Sequence, residues 1–312
     1  MSVPRELVAR AFAPGHVTGI FRPEATQRDP RARGSVGAGV VLELGARAEA
    51  RFAPGSRSGV RVVADSPGSW PISEDVARRL AAPTPGLLTV RLTHELPVGQ
   101  GFGMSAAGAL ATALAVGSLS NRSRGHAVRV AHLADLFGGG GLGGVAAILG
   151  GGLEIRRRPG VLPFGEVVHR RFPLAMLVGV VGRTIPSPSV LGDAEALRRI
   201  TDASRGWEDL SRHPSADRFF RWSERFTDRA GLASPAVTRA LTALRRRGAV
   251  ACQAMFGQSF FAVPRSRETR TACLEWLEGE GVRAVEIRAS TCGAHLVHTG
   301  TRQSVFPRAH RL

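Results

Sequence analysis

The order of segments along the chain predicts an α+β layer fold built in two halves, residues 1–171 and 172–312. Three observations predict it. Strand-like and helix-like segments alternate without a long linker or an internal repeat. Apolar residues make up 43% of 312 positions, enough for a full core. A glycine-rich loop then runs directly into a helix of small residues near the middle of the first half.

The first half opens with Ala11–Gly19 (AFAPGHVTG), followed by a polar Arg/Pro-rich stretch to Arg33. GSVGAG at 34–39 leads into a predicted strand over Val40–Phe52, and Val60–Ala64 and Leu87–His94 have the β-branched or alternating pattern of two more. Between these, Ser73 stands where it would cap a short helix through Ala82, with Glu74 and Asp75 in its first turn. PVGQGFGMSAA at 97–107 feeds a helix over Ala106–Val116, and a second helix fits Gly125–Leu136. The glycine run 138–144 opens a short helix through Leu149, and Leu153–Arg157 is a predicted strand.

The second half begins near Phe172 with a continuous apolar run, Leu174–Val181, that fits a buried strand. A Pro/Ser loop (183–191) precedes predicted helices at Asp193–Ala203, Ala216–Arg229 and Ser234–Arg247. A strand over Val250–Val263, a helix over Arg267–Glu280 and strands at Val282–Ala289 and His295–His298 complete it. Met255, Phe256, Phe260 and Phe261 are expected in the core of the 250–263 strand, and Gly257 marks a bulge or a close backbone approach there.

Charge and composition exclude several functions. All 42 basic residues are arginine, and the formal charge is +17. Arginine in place of lysine throughout is a compositional bias rather than selected recognition, and the short runs 156–158 and 245–247 lack interleaved aromatics. Nucleic acid is therefore not the expected partner, although a basic nucleic-acid-binding protein stays open as the alternative of another class. The absence of lysine excludes a Walker-type site and Schiff-base chemistry. Three separate cysteines and nine histidines without a ligand-spaced pair argue against a disulfide framework or a transition-metal centre. The apolar runs are too short to cross a bilayer, and no apolar segment follows Arg5 and Arg10, so a cytoplasmic protein without a membrane partner is expected.

The segment 97–107 carries the chemistry. Its glycines let the backbone turn tightly toward an anion, and the helix that follows presents free N–H groups at its positive end. Ser105 sits where its hydroxyl would meet a phosphate oxygen or a phosphate-bound metal. Gly101, Gly103 and Ala106 also match a dinucleotide fingerprint, but no acid occurs from Leu96 to Ala134 to hold a ribose, so that reading fails.

The N-terminal APGHVTG segment, the loop PVGQGFGMSAA and a glycine-bearing C-terminal strand motif together resemble the GHMP kinases. AFAPGHVTGIF, GSVGAGV, AHLADL, GLGGVAAILGGGLEIRRRPG and ACQAMFGQSFFAV narrow the resemblance to the archaeal pantoate kinases, over nearly the whole chain. The resemblance implies a GHMP kinase fold, with an N-terminal half like domain 2 of ribosomal protein S5 and a ferredoxin-like C-terminal half. It implies ATP and Mg2+ as cofactors and pantoate as the small-molecule substrate, phosphorylated for coenzyme A synthesis, and it leaves a homodimer open. ATP would lie on Pro97, Gly99, Gly101, Gly103, Met104, Ser105, Ala106 and Ala107. Ser105 and Asp135 would be the catalytic pair and the metal ligands, and His132, Arg156 and Ser187 would bind the acceptor.

One departure stands out: the aspartate of the family's GLGDV falls on Gly144. That aspartate serves as base or orienter for the attacking hydroxyl, and Glu154 and Asp193 are the acids nearest in sequence that could replace it. Another GHMP kinase, or a nucleotide-binding relative with impaired catalysis, therefore remains an alternative.

Overall fold

The computed structural model describes residues 6–66, 68–184 and 190–297. Two sheets organise them. The first has seven strands: β1 (Leu7–Glu24), β2 (Gly34–Pro54), β3 (Gly59–Ala64), β4 (Gly86–His94), β5 (Leu153–Arg158), β6 (Glu166–Arg170) and β11 (His295–Leu296). Its path runs β11-β1-β2-β4-β3, and β5 pairs with β2 and β6. The second sheet has the order β10-β7-β9-β8, built from β7 (Ala175–Val180), β8 (Ala249–Gln253), β9 (Ser259–Pro264) and β10 (Ala284–Arg288).

Strand patterning shows why these elements form. In β4 buried and exposed residues alternate from Gly86 to His94, the two-residue period of a sheet with one face on the core. The long β2 pairs with β5 through its first half and with β4 through its second, so it carries the bend of the sheet. Helix α1 (Pro71–Leu80) connects β3 to its parallel neighbour β4. Its N-cap is Trp70, with Pro71 in the first turn, whereas Ser73 is buried inside the helix and caps nothing. The fixed φ of proline suits a first helical position, and that signal overrides the serine.

Helix α2 (Met104–Leu119) is apolar on every side, and nearly all of it is buried. Its alanines and glycines let α1, α3 (Arg124–Phe137) and the sheet approach closely. The short α4 (Gly144–Ala147) lies between α3 and β5. Helices α5 (Ala194–Ala203), α6 (Glu208–Arg212), α7 (Ala216–Ala230) and α8 (Pro235–Arg246) fill the long connection from β7 to β8, and α9 (Arg267–Gly279) joins β9 to β10.

Several expectations change here. The segment 11–19, to which the sequence assigns no element, is the middle of β1 despite Pro14 and Gly15, and the strand is bulged on either side of His16–Thr18. The single strand expected over Val250–Val263 is the hairpin β8–β9, whose turn holds Met255 and Phe256, while Phe260 and Phe261 are fully buried. Gly257 is a close approach: a Cβ there would lie 2.1 Å from the Gln100 carbonyl oxygen. The half-buried, largely polar strand β6 carries no signal that stands out in the sequence. The boundary at 171/172 separates the two sheets along the chain, yet β11 returns to pair with β1 and one apolar core extends under both.

Candidate active site

The phosphate-loop segment closes one side of a cleft of about 790 Å³, counting the space at its mouth. Gly99, Gly101 and Gly103 all have positive φ, which lets consecutive peptide units turn inward as side chains would not. The loop is held from the second sheet, where Gln100 Nε2 donates to the Gly182 carbonyl and Gln100 Oε1 accepts from the Gln258 N–H. Helix α2 starts at Gly103 with no side-chain cap, so the N–H groups of its first turn, Met104 to Ala106, are left for an anion.

In this first turn, Ser105 Oγ donates to Asp135 Oδ1 at 2.9 Å. Asp135, from α3, is 3% exposed. Burial pushes its carboxyl up to about 7, against the opposing pull of the Ser105 hydroxyl. The backbone of Gly140 closes over both side chains: a Cβ there would stand 2.0 Å from Asp135 Oδ1. Two hard oxygen donors beside free helix amides fit a magnesium ion that keeps its remaining sites for phosphate and water. Among the described residues no group of three or more His, Cys, Asp or Glu forms a metal site.

Gly144 begins α4 on the same wall. A Cβ at this position would fall 2.6 Å from Ala106 Cβ and 3.9 Å from Asp135 Oδ2. Neither proposed substitute for the family's aspartate faces the cleft. Asp193 is an exposed N-cap of α5, accepting from the N–H groups of Glu195 and Ala196. Glu154 is fully buried behind the wall, bound to His16 and Arg156.

The cleft is also lined by Thr18, Phe21, Ser35, Arg156, Met255 and Phe256. Arg156 is 2% exposed, and its Nε has no partner among the described residues although it points toward Gly143. Its two neighbours in the arginine run, Arg157 and Arg158, are exposed. The arginine surplus is therefore not gathered at the cleft, where Arg156 alone of the described arginines lines the wall.

The structure thus brings Gly99, Gly101, Gly103, Met104, Ser105, Ala106, Asp135 and Arg156 to one cleft. Pro97 and Ala107 flank the loop without lining it. His132 is buried under the 30–33 turn near the carbonyls of Pro30 and Arg33, and its Nε2 has no partner among the described residues. Ser187 lies outside the described residues. Sequence reasoning passed over His16, Thr18 and Ser35, which sit inside the motifs AFAPGHVTGIF and GSVGAGV. A polar residue in an otherwise apolar strand was the available signal.

A model of the GHMP kinases N terminal domain matches residues 72–152. Among solved structures, a phosphotransferase related to the coenzyme A biosynthesis pathway superposes with a TM-score of 0.84 at 27% identity, covering 93% of this chain and 99% of the other. Leishmania major mevalonate kinase shares the fold, with a TM-score of 0.64 at 14% identity over 93% of this chain and 98% of its own. The fold and these matches define a small-molecule phosphotransferase of the GHMP kinase class. Within that class, a pantoate kinase of Methanospirillum hungatei is 31% identical over 266 residues, 83% of this chain and 88% of the relative. One of Thermococcus kodakarensis is 29% identical over 279 residues, 85% and 91% of the two chains. The chain belongs to the pantoate kinase family.

Proposed function

We propose that this cleft transfers the γ-phosphoryl group of ATP to the 4-hydroxyl of pantoate, giving 4-phosphopantoate for coenzyme A synthesis. The observation that carries the reading is the uncapped N-terminus of α2, with Ser105 and Asp135 beside it, in one cleft with a buried arginine. The first-turn amides hold the transferring phosphate. Arg156 Nε, desolvated and unpartnered, meets the acceptor's carboxylate, and Ser35 lies next to it. Phe21, Met255 and Phe256 supply an apolar wall for the dimethyl-substituted carbon of pantoate.

Ser105 and Asp135 would hold Mg2+. Held by these two residues, Mg2+ would supply positive charge to offset that of the phosphate oxygens. The protein's own part is positioning: the loop fixes the phosphate, Arg156 fixes the acceptor, and the glycine wall 140–144 lets both approach. The absent aspartate at Gly144 favours a second reading, a relative that binds nucleotide without turnover.

The test is an ADP-release assay with pantoate, homoserine and mevalonate offered separately to the full chain and to Ser105→Ala. Pantoate-dependent turnover that falls at least about tenfold in the variant is expected, as for loss of one transition-state contact. Mg-ATP binding with no turnover on any acceptor would establish the second reading instead.

A further inference from the structure

A line of buried hydrogen bonds runs behind the cleft and surfaces at Thr18. His16 Nε2 lies 2.8 Å from Glu154 Oε1, and His16 Nδ1 lies 3.3 Å from Thr18 Oγ1. The direction of these bonds follows from Glu154. Burial drives its carboxyl up, but Arg156 and the His16 bond outweigh that and hold it below its usual value, so it is ionised and only accepts. His16 must then carry its proton on Nε2. Burial, with the Arg156 charge beside it, holds the imidazole below its ordinary value against the raising pull of Glu154, so the ring is neutral near pH 7. Nδ1 is therefore a bare lone pair, and the Thr18 hydroxyl spends its proton on it. Toward the cleft Thr18 Oγ1 offers lone pairs only, a place for an incoming O–H.

This line stands beside the phosphate loop. The His16 N–H donates to the Phe102 carbonyl at 3.0 Å, and a Cβ on Gly103 would come within 3.2 Å of His16 Cβ. The bulges flanking His16–Thr18 in β1 turn both residues to the cleft wall, and Gly39 leaves the space the imidazole fills.

We propose that Thr18 and His16, backed by Glu154, accept the proton of the attacking hydroxyl in this kinase, a role left open by glycine at 144. This rests on the kinase reading above. As the acceptor oxygen bonds the γ-phosphorus, its O–H bond breaks and the proton passes to Thr18 Oγ1. The proton of Thr18 passes to His16 Nδ1 at the same time, and ADP departs with the electron pair of the broken P–O bond. The resulting imidazolium keeps its Nε2–H bond to the Glu154 carboxylate and returns its extra proton to water after product release. The other charged or titratable groups near His16 are Arg156 on β5, which opposes its protonation, and His169 on β6, which faces Glu154.

Thr18→Val, Thr18→Ser and His16→Gln in the full chain test this, with Mg-ATP and pantoate as substrates. Thr18→Val should lower kcat about a hundredfold, the low end of general-base effects, with both Michaelis constants little changed. Thr18→Ser should restore most of the kcat that Thr18→Val loses, and in His16→Gln the acid limb of the kcat–pH profile should shrink to the part set by Asp135. Melting and Mg-ADP binding identify folded variants; should His16→Gln not fold, Thr18→Val decides, since it removes one hydroxyl from a half-buried strand position. Parent-like kcat in Thr18→Val, or a rise in the pantoate Michaelis constant alone, overturns the proposal. A [15N]histidine NMR spectrum reads the tautomer without any acceptor. The Nε2–H form of His16 is expected, and the Nδ1–H form overturns the relay whatever the substrate. If the parent fails to phosphorylate pantoate, the acceptor assignment falls, and the tautomer alone decides the relay.

Discussion

Asp135→Asn should make the nucleotide-free protein more stable and the enzyme far less active. In the folded state burial raises the Asp135 carboxyl to about 7 from an ordinary value of 3.8. A folded-state value above the unfolded one means that the native protein binds the proton more tightly. The stabilising contribution is complete below about pH 4 and is lost as pH rises through 7. A shift of this size corresponds to roughly 4 kcal/mol at 1.36 kcal/mol per unit. Asparagine has nearly the same shape, stays neutral, and escapes that loss. Urea denaturation of the nucleotide-free chains measures it. The variant should exceed the parent by up to about 4 kcal/mol at pH 8 and by less than half of that at pH 5. Turnover at pH 8 should fall on the order of a hundredfold, as when one preorganised electrostatic group is removed. Equal stability of parent and variant at pH 8, or a fully active Asp135→Asn, would refute the idea that a desolvated carboxylate is kept here for function.

Two further outcomes follow from the packing. Arg156→Ala would strand Glu154 as a buried, half-partnered charge, which costs about 3–5 kcal/mol, so the informative substitution is Arg156→Lys. It keeps the charge and loses the planar fork, and it should raise the pantoate Michaelis constant roughly 10- to 100-fold, the worth of a charged hydrogen bond, while that for ATP stays near the parent's in steady-state kinetics. Gly144→Asp alone presses its Cβ against Ala106 and brings a second carboxylate toward Asp135. It should melt earlier, by about 1–3 kcal/mol of overpacking, without gaining activity. Ala106→Gly/Gly144→Asp relieves that contact and should recover turnover roughly tenfold in a Thr18→Val background, within the range of general-base effects.

The proposed phosphate end of the site is legible in the sequence because its chemistry is local. Positive-φ glycines, an uncapped helix and Ser105 fall in one short segment, so spacing alone places them together. Asp135 is likewise marked, as the first acid after a long acid-free stretch. The acceptor end was not legible in this way. His16, Ser35, Glu154 and Arg156 come from three strands, and only the pairing of β1, β2 and β5 brings them together. Arg156 is reached only through the family resemblance, since nothing local says that the strand turns it inward beside Glu154 while Arg157 and Arg158 face water. The same limit applies to the fold. The alternation in β4 and the small-residue pattern of α2 could be read directly, but Pro14 and Gly15 hid the strand signal of β1. The apolar turn at Met255–Phe256 carried no break to divide β8 from β9.

The most direct test of the account is the product itself. The full chain is incubated with Mg-ATP and pantoate, and the mixture is followed by 31P NMR. One new phosphomonoester signal, coupled to the C4 methylene protons of pantoate and appearing mole for mole with ADP, is the predicted result. ADP accompanied only by inorganic phosphate, or a phosphate ester at the 2-hydroxyl, would contradict it.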